Sequence, residues 1–124
     1  MFRILVADDD AIQLDLRKQV LEIGGYRVEI AFTAAQAIRR LQKSPADLVV
    51  LDLRFPNARG VHDPQEGLAL IRGIRDLGLG IPLIVLSGWP QDLYGQPEEP
   101  LVSRILLKPV KTPELLHAIG ELLA

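Results

Sequence analysis

Leu48-Val49-Val50-Leu51-Asp52 decides the reading of this chain. Four apolar residues without alternation, ending abruptly on an acid, describe a central parallel strand covered by helices on both faces. Such a strand needs neighbours of its own kind, and three flank it in sequence. Phe2 to Ala7, with Ile4, Leu5 and Val6, stops at Asp8-Asp9-Asp10; Leu83-Ile84-Val85-Leu86 stops at Ser87-Gly88; Val102 to Leu107 stops at Lys108-Pro109. Tyr26 to Ala31 differs, because Arg27 and Glu29 alternate with apolar residues, the pattern of a half-exposed edge strand.

Between the strands the apolar period changes to that of helices. Ile12, Leu16, Val20 and Ile23 share one face from Ala11 to Ile23, with Gly24-Gly25 as the stop. Thr33 can cap a helix running to about Lys43, and Pro45 closes that unit. A helix carrying Leu68, Ile71, Ile74 and Arg75 ends near Gly78. Thr112 as cap, Pro113 at the first helical position and Glu114 in the first turn announce the last helix. The stretch from Trp89 to Pro100 carries Pro90, Pro97 and Pro100, so any helix there is short or irregular. Strand and helix alternate five times, which predicts an α/β fold: a doubly wound, five-stranded parallel sheet with helices on both faces.

Length and composition narrow the function classes. At 124 residues the chain is expected to be a single domain, residues 1–124, with one core and no output domain. Fourteen Lys and Arg against sixteen Asp and Glu provide no broad positive field, so binding of nucleic acid by this chain alone is not expected. The apolar runs are too short to cross a bilayer, and no membrane role is expected. With no cysteine and no signal-peptide pattern, a cytoplasmic location is expected.

In open α/β sheets, sites form at the carboxyl ends of the strands. Those ends carry Asp8, Asp9, Asp52, Ser87 and Lys108, and Asp10 is read either as a helix cap or as a further member of the cluster. Three converging carboxylates repel one another unless something positive is present. Oxygen ligands without His or Cys favour a hard divalent ion, and Mg²⁺ suits a site with few carboxylates and a phosphate. Lys108 can meet a phosphoryl oxygen as a point charge, Ser87 can donate to another, and the Asp52 carboxylate can attack phosphorus.

At these residues the chain resembles a response-regulator receiver domain, the flavodoxin-like phosphoacceptor module of two-component signalling. The motifs are the strand ending in Asp8-Asp9, the Asp52-Leu53-Arg54-Phe55-Pro56 run, Ser87-Gly88 and Lys108-Pro109, and together they span essentially the whole chain. The resemblance implies a sheet order of 2-1-3-4-5 and a phosphoryl group accepted on Asp52 from a histidine kinase or phosphotransfer protein. It further implies Mg²⁺ held by Asp8, Asp9, Asp52 and the Arg54 backbone carbonyl, with Lys108 and Ser87 binding the phosphoryl. A cis peptide at Lys108-Pro109 is implied too. The chain would act as a signalling switch or phosphoryl shuttle toward a downstream effector protein, with a homodimer as a further option, and not as a metabolic enzyme.

Three departures from the family pattern stand out. Ile105 occupies the place, three residues before the lysine, where receivers usually carry a switching aromatic. The stretch from Pro56 to Gly67 is longer than usual and contains Asn57-Ala58-Arg59-Gly60-Val61-His62-Asp63-Pro64, expected to act as a lid or docking element. The prolines after Trp89 disturb the fourth helix and with it the usual output face. Arg54 and Trp89, each two residues past a site residue, are expected either to overhang the phosphoryl group or, for Arg54, to pair with the acids. His62 and His117 receive no role. The competing readings are a pseudo-receiver that works as a phosphorylation-independent interaction module, a phosphohydrolase lacking its second acid because Arg54 stands there, and a flavodoxin-like cofactor carrier.

Overall fold

A computed structural model describes residues 1–124. The elements run β1 Arg3–Ala7, α1 Ala11–Ile23, β2 Arg27–Ala31, α2 Ala34–Lys43, β3 Leu48–Asp52, β4 Phe55–Pro56, β5 His62–Asp63, α3 Pro64–Asp76, β6 Leu83–Ser87, β7 Arg104–Leu107 and α4 Thr112–Leu123. Five strands form one parallel sheet in the order β2-β1-β3-β6-β7, as expected when the five long strands are counted alone.

The alternation of strand side chains divides the core in two. Leu5, Ala7, Val49, Leu51, Leu83 and Val85 face α2 and α3, which contribute Ala37, Leu41, Leu68, Ile71 and Ile74. Ile4, Val6, Leu48, Val50, Ile84 and Leu86 face α1 and α4, which contribute Leu14, Leu21, Leu115 and Ile119. The central strands therefore have no polar face, which is why β3 and β6 read as unbroken apolar runs.

Local chemistry sets the helix ends. Asp10 caps α1, its carboxylate accepting from the Ile12 and Gln13 amides, and Thr33 caps α2 through Gln36. α4 departs from expectation, because its cap is Lys111, without a side-chain bond, and Thr112 is already helical. Pro113 tolerates this, since the amide it lacks lies in the first turn. Between β6 and β7 the prolines allow only two 3₁₀ turns, Pro90–Asp92 and Glu99–Leu101.

Arg75, read in the sequence as one more residue of a helix face, turns out to brace the molecule. Its guanidinium donates to the carbonyls of Leu79 and Ile81 at 2.7 and 2.8 Å and of Leu101 at 2.7 Å. Burial pushes its pKa below the ordinary value, and the three carbonyls satisfy the donors that burial removes from water.

The long stretch after β3 folds as a hairpin. β4 and β5 pair antiparallel, Phe55 opposite Asp63 and Pro56 opposite His62. Asn57 closes the turn, its carbonyl side chain accepting from the amides of Arg59 and Val61 while Gly60 takes a φ of +76°. Phe55 is buried in the core and Asp63 caps α3 through Gln65, so both ends of the hairpin are fastened.

Candidate functional site

Strand register brings the site together. Ala7 lies beside Leu51, Asp52 beside Leu86, and Ser87 beside Leu107. The residues that end β1, β3, β6 and β7 therefore share one edge of the sheet: Asp8 and Asp9, Asp52, Ser87 and Lys108. Ligand oxygens of Asp8, Asp9 and Asp52 lie within 4.8 Å of one another.

Each carboxylate has a partner. Asp8 is only 1% exposed, so its charge requires compensation. Arg17 on α1 supplies it at 2.6 Å, and the Asp10 amide donates to its other oxygen at 3.0 Å. Asp52 Oδ1 accepts from the amides of Leu53 and Arg54 at 2.7 and 3.4 Å, while Oδ2 takes Lys108 Nζ at 2.8 Å. Lys108 also stands 3.7 Å from Asp8. Asp9 Oδ2 meets His62 Nε2 at 2.6 Å, across 53 residues of chain. Ser87 is buried one strand from Asp52, and its hydroxyl accepts from the Trp89 amide at 3.0 Å. The Lys108-Pro109 peptide is cis.

Arg54 does not pair with the acid cluster. Its guanidinium grips Asp92 in the first 3₁₀ turn through Nε at 2.8 Å and a second nitrogen at 3.3 Å, and its Cζ lies 3.8 Å from the centre of the Trp89 ring. The hydrogen bond to Asp92 holds the Arg54 pKa above its ordinary value. Arg54, Trp89 and Asp92 thus form one clamp joining the loops after β3 and β6.

Two participants were not found in the sequence. Arg17 has a local signal, since it projects from α1 two turns after the acids, but an arginine on an amphipathic helix is ordinarily solvated. His62 has none, because its position depends on how the inserted hairpin folds back. Ile105 is half-buried and packs against the core on the α2 and α3 side, so no aromatic ring occupies that position on β7.

The donor set fits a hard divalent cation: three carboxylates converge from two strand ends, and no thiolate competes. No helix is long and apolar enough to cross a membrane.

Comparison with known proteins agrees with the fold. The chain is 32% identical over 122 residues to the transcriptional regulatory protein GlrR of Escherichia coli, covering 97% of this chain and 26% of that protein. A receiver domain protein from Methanospirillum hungatei superposes with a TM-score of 0.81 at 30% identity, covering 99% of this chain and 94% of that one. The response regulator TrrA of Thermotoga maritima, solved in complex with Mg²⁺ and BeF, matches with a TM-score of 0.84 at 24% identity over 98% of this chain and 99% of that one, a likeness of fold. The chain spans about a sixth to two-fifths of the length of the curated relatives it matches. The model of the response regulator receiver domain matches residues 4–120, and the chain belongs to that family, the receiver domains of two-component systems.

Proposed function

We propose that Asp52 accepts a phosphoryl group from a phosphohistidine on a histidine kinase or phosphotransfer protein, with Mg²⁺ held by Asp8, Asp9, Asp52 and the Arg54 backbone carbonyl. The observation that carries this reading is the Lys108 to Asp52 contact of 2.8 Å beside three converged carboxylates. In the transfer a carboxylate oxygen of Asp52 forms the new P–O bond, the P–N bond to the donor imidazole breaks, and the imidazole leaves with the partner. Mg²⁺ would supply charge neutralisation on the phosphoryl oxygens. Lys108 meets a second oxygen, and Ser87, whose hydroxyl accepts from the Trp89 amide and keeps its own hydrogen to donate, can serve a third. A groove of about 540 Å³ bordered by Gln13, Leu16, Val20 and Pro109 opens beside Lys108, supporting the approach of a partner surface. The same chemistry makes the domain a switch or shuttle toward an effector protein, and a homodimer is one form the output can take.

A second reading, a phosphorylation-independent interaction module, is favoured by Ile105, because the aromatic that usually reports phosphorylation is replaced. Incubation with acetyl phosphate and Mg²⁺, followed by intact mass measurement of the wild type beside Asp52→Ala, separates the two. One added phosphoryl mass on the wild type alone supports the acceptor reading, and no addition to either supports the module.

Lys108 is expected to act oppositely on metal and phosphoryl. Lys108→Met removes a positive charge from the carboxylates, and at an effective dielectric between water and protein surface this is about 1 kcal/mol or more of repulsion toward a cation. Mg²⁺ should therefore bind about fivefold to tenfold tighter, while phosphoryl transfer slows about a hundredfold for want of a charge on the equatorial oxygens. Calorimetric titration and the rate of mass gain measure the two effects. Parallel changes of both would place Lys108 in metal binding alone.

The Arg54, Trp89 and Asp92 clamp joins the loops that follow the acceptor strand and β6. With Arg54 and Trp89 both replaced by alanine, the acyl phosphate should hydrolyse about tenfold faster, equal to about 1.4 kcal/mol of barrier. An unchanged decay time would show that the clamp does not limit water.

A further inference from the structure

Arg17 is the cation that the acceptor reading leaves without a task. It stands on α1, nine residues beyond Asp8, and its Nη1 lies 2.6 Å from Asp8 Oδ2. The pair is largely closed to water, the Arg17 side chain being 14% exposed and that of Asp8 1%. A carboxylate so far from solvent has to keep a cation beside it, because removing one partner of a buried pair leaves a charge that nothing hydrates.

The same oxygen has a second cation near it. Lys108 Nζ is 3.7 Å from Asp8 Oδ2 and 2.8 Å from Asp52 Oδ2, so one ammonium stands between two carboxylates. Asp52 is the less demanding of the two, since its side chain is 14% exposed and its Oδ1 already accepts from the Leu53 and Arg54 amides. Asp8 has, besides its cations, only the Asp10 amide on Oδ1. Left with Lys108 alone, the buried Asp8 would have the stronger claim on it. No further cationic side chain comes within 4 Å of Asp8, for His62 is on Asp9 and Arg54 on Asp92. Arg17 meets the need of Asp8 from the helix side, and Lys108 is left to Asp52.

We propose that Arg17 is a positioning residue for phosphoryl acceptance: by holding the buried charge of Asp8 it keeps the Lys108 ammonium on Asp52, where the incoming phosphoryl group needs it. The proposal rests on the reading of Asp52 as the acceptor, and adds to it the residue that places the lysine. Arg17 makes no contact with Asp52 and acts through Asp8.

The test is a double-mutant cycle with Arg17→Met, Lys108→Met and both together, and with Arg17→Lys as the conservative variant. With acetyl phosphate at saturating Mg²⁺, Arg17→Met is expected to gain phosphoryl mass about tenfold more slowly than wild type, the scale of loss for a displaced reacting group. In the Lys108→Met background the same substitution should change the rate by less than about twofold, because no lysine remains to be placed. Arg17→Lys keeps the charge and a nitrogen donor, and should stay within about threefold of wild type. A lysine variant as slow as the methionine one, or an equal loss in both Lys108 backgrounds, overturns the proposal, the latter because Arg17 would then act by its own charge. Calorimetry should find Mg²⁺ bound at least as tightly by Arg17→Met as by wild type, since a positive charge has left the acids; weaker Mg²⁺ together with slower transfer would mark a damaged site and overturn the positioning role. A crystal structure of Arg17→Met gives a readout independent of turnover: Lys108 Nζ is expected within about 3 Å of Asp8, and an ammonium still on Asp52 alone counts against the proposal. If the wild type gains no phosphoryl group, the acceptor reading fails and takes the proposal with it, whereas gain at one rate in wild type and Arg17→Met sinks the proposal alone.

Discussion

Asp52→Ala and Asp52→Asn should both fail to gain a phosphoryl group from acetyl phosphate, with any transfer at least about a thousandfold below the wild type, because each lacks the carboxylate that forms the P–O bond. The asparagine variant matters more. It keeps the shape of the side chain and an oxygen able to accept from the Leu53 and Arg54 amides, contacts that the wild type makes at 2.7 and 3.4 Å, so it separates nucleophile from geometry. Neither variant should unfold. Removing one of three mutually repelling acids offsets the loss of the partly exposed contact with Lys108, which retains Asp8 at 3.7 Å and water. Stability is therefore expected to stay within about 1 kcal/mol of wild type. Intact mass and a urea melt on the same samples check both halves. A phosphoryl mass on either variant would move the acceptor to another side chain and end the Asp52 assignment.

Gly67→Ala is expected to cost about 3 kcal/mol, the upper part of the range for forcing volume into a packed site. Gly67 lies in the first turn of α3, where its amide donates to the Leu53 carbonyl at 2.9 Å. A Cβ there would lie 2.7 Å from the Leu53 carbonyl carbon and closer still to the Leu53 Cα and oxygen. These are backbone atoms, so no rotamer change relieves the overlap; α3 must lift or the β3 terminus must move. The second response shifts the residue next to Asp52. The urea midpoint should fall with little change in slope, as for a native-state effect, and the rate of phosphoryl gain should fall in the protein that remains folded. A stability change below about 1 kcal/mol would mean that α3 adjusts freely and that Gly67 does not fix the acceptor.

The sequence was most legible where chemistry is local. The runs at Ile4 to Ala7, Leu48 to Leu51 and Leu83 to Leu86 declared buried strands because each must be apolar on both faces, and the acids, Ser87 and Lys108 declared themselves by standing where those runs stop. Asp10 and Thr33 were legible as caps, since a cap bonds two or three residues ahead. Thr112 misled because Pro113 allows the helix to start one residue earlier without a side-chain cap. Trp89 to Pro100 was legible as irregular, because proline cannot supply the amides a helix needs.

What the sequence by itself determined is the order of strands and helices, the two-faced core and the set of residues at one sheet edge, for these follow from hydrophobic period and strand ends. Only the tertiary structure decided the partners within that edge: Arg17 on Asp8, His62 on Asp9, Lys108 on Asp52, and Arg54 turned to Asp92 instead of the acids. The physical reason is that a charged or imidazole side chain pairs with whichever group the folded backbone brings within about 3 Å, the range of a hydrogen bond. That distance is set by strand register and by the path of the hairpin, neither of which is encoded by any short stretch of residues.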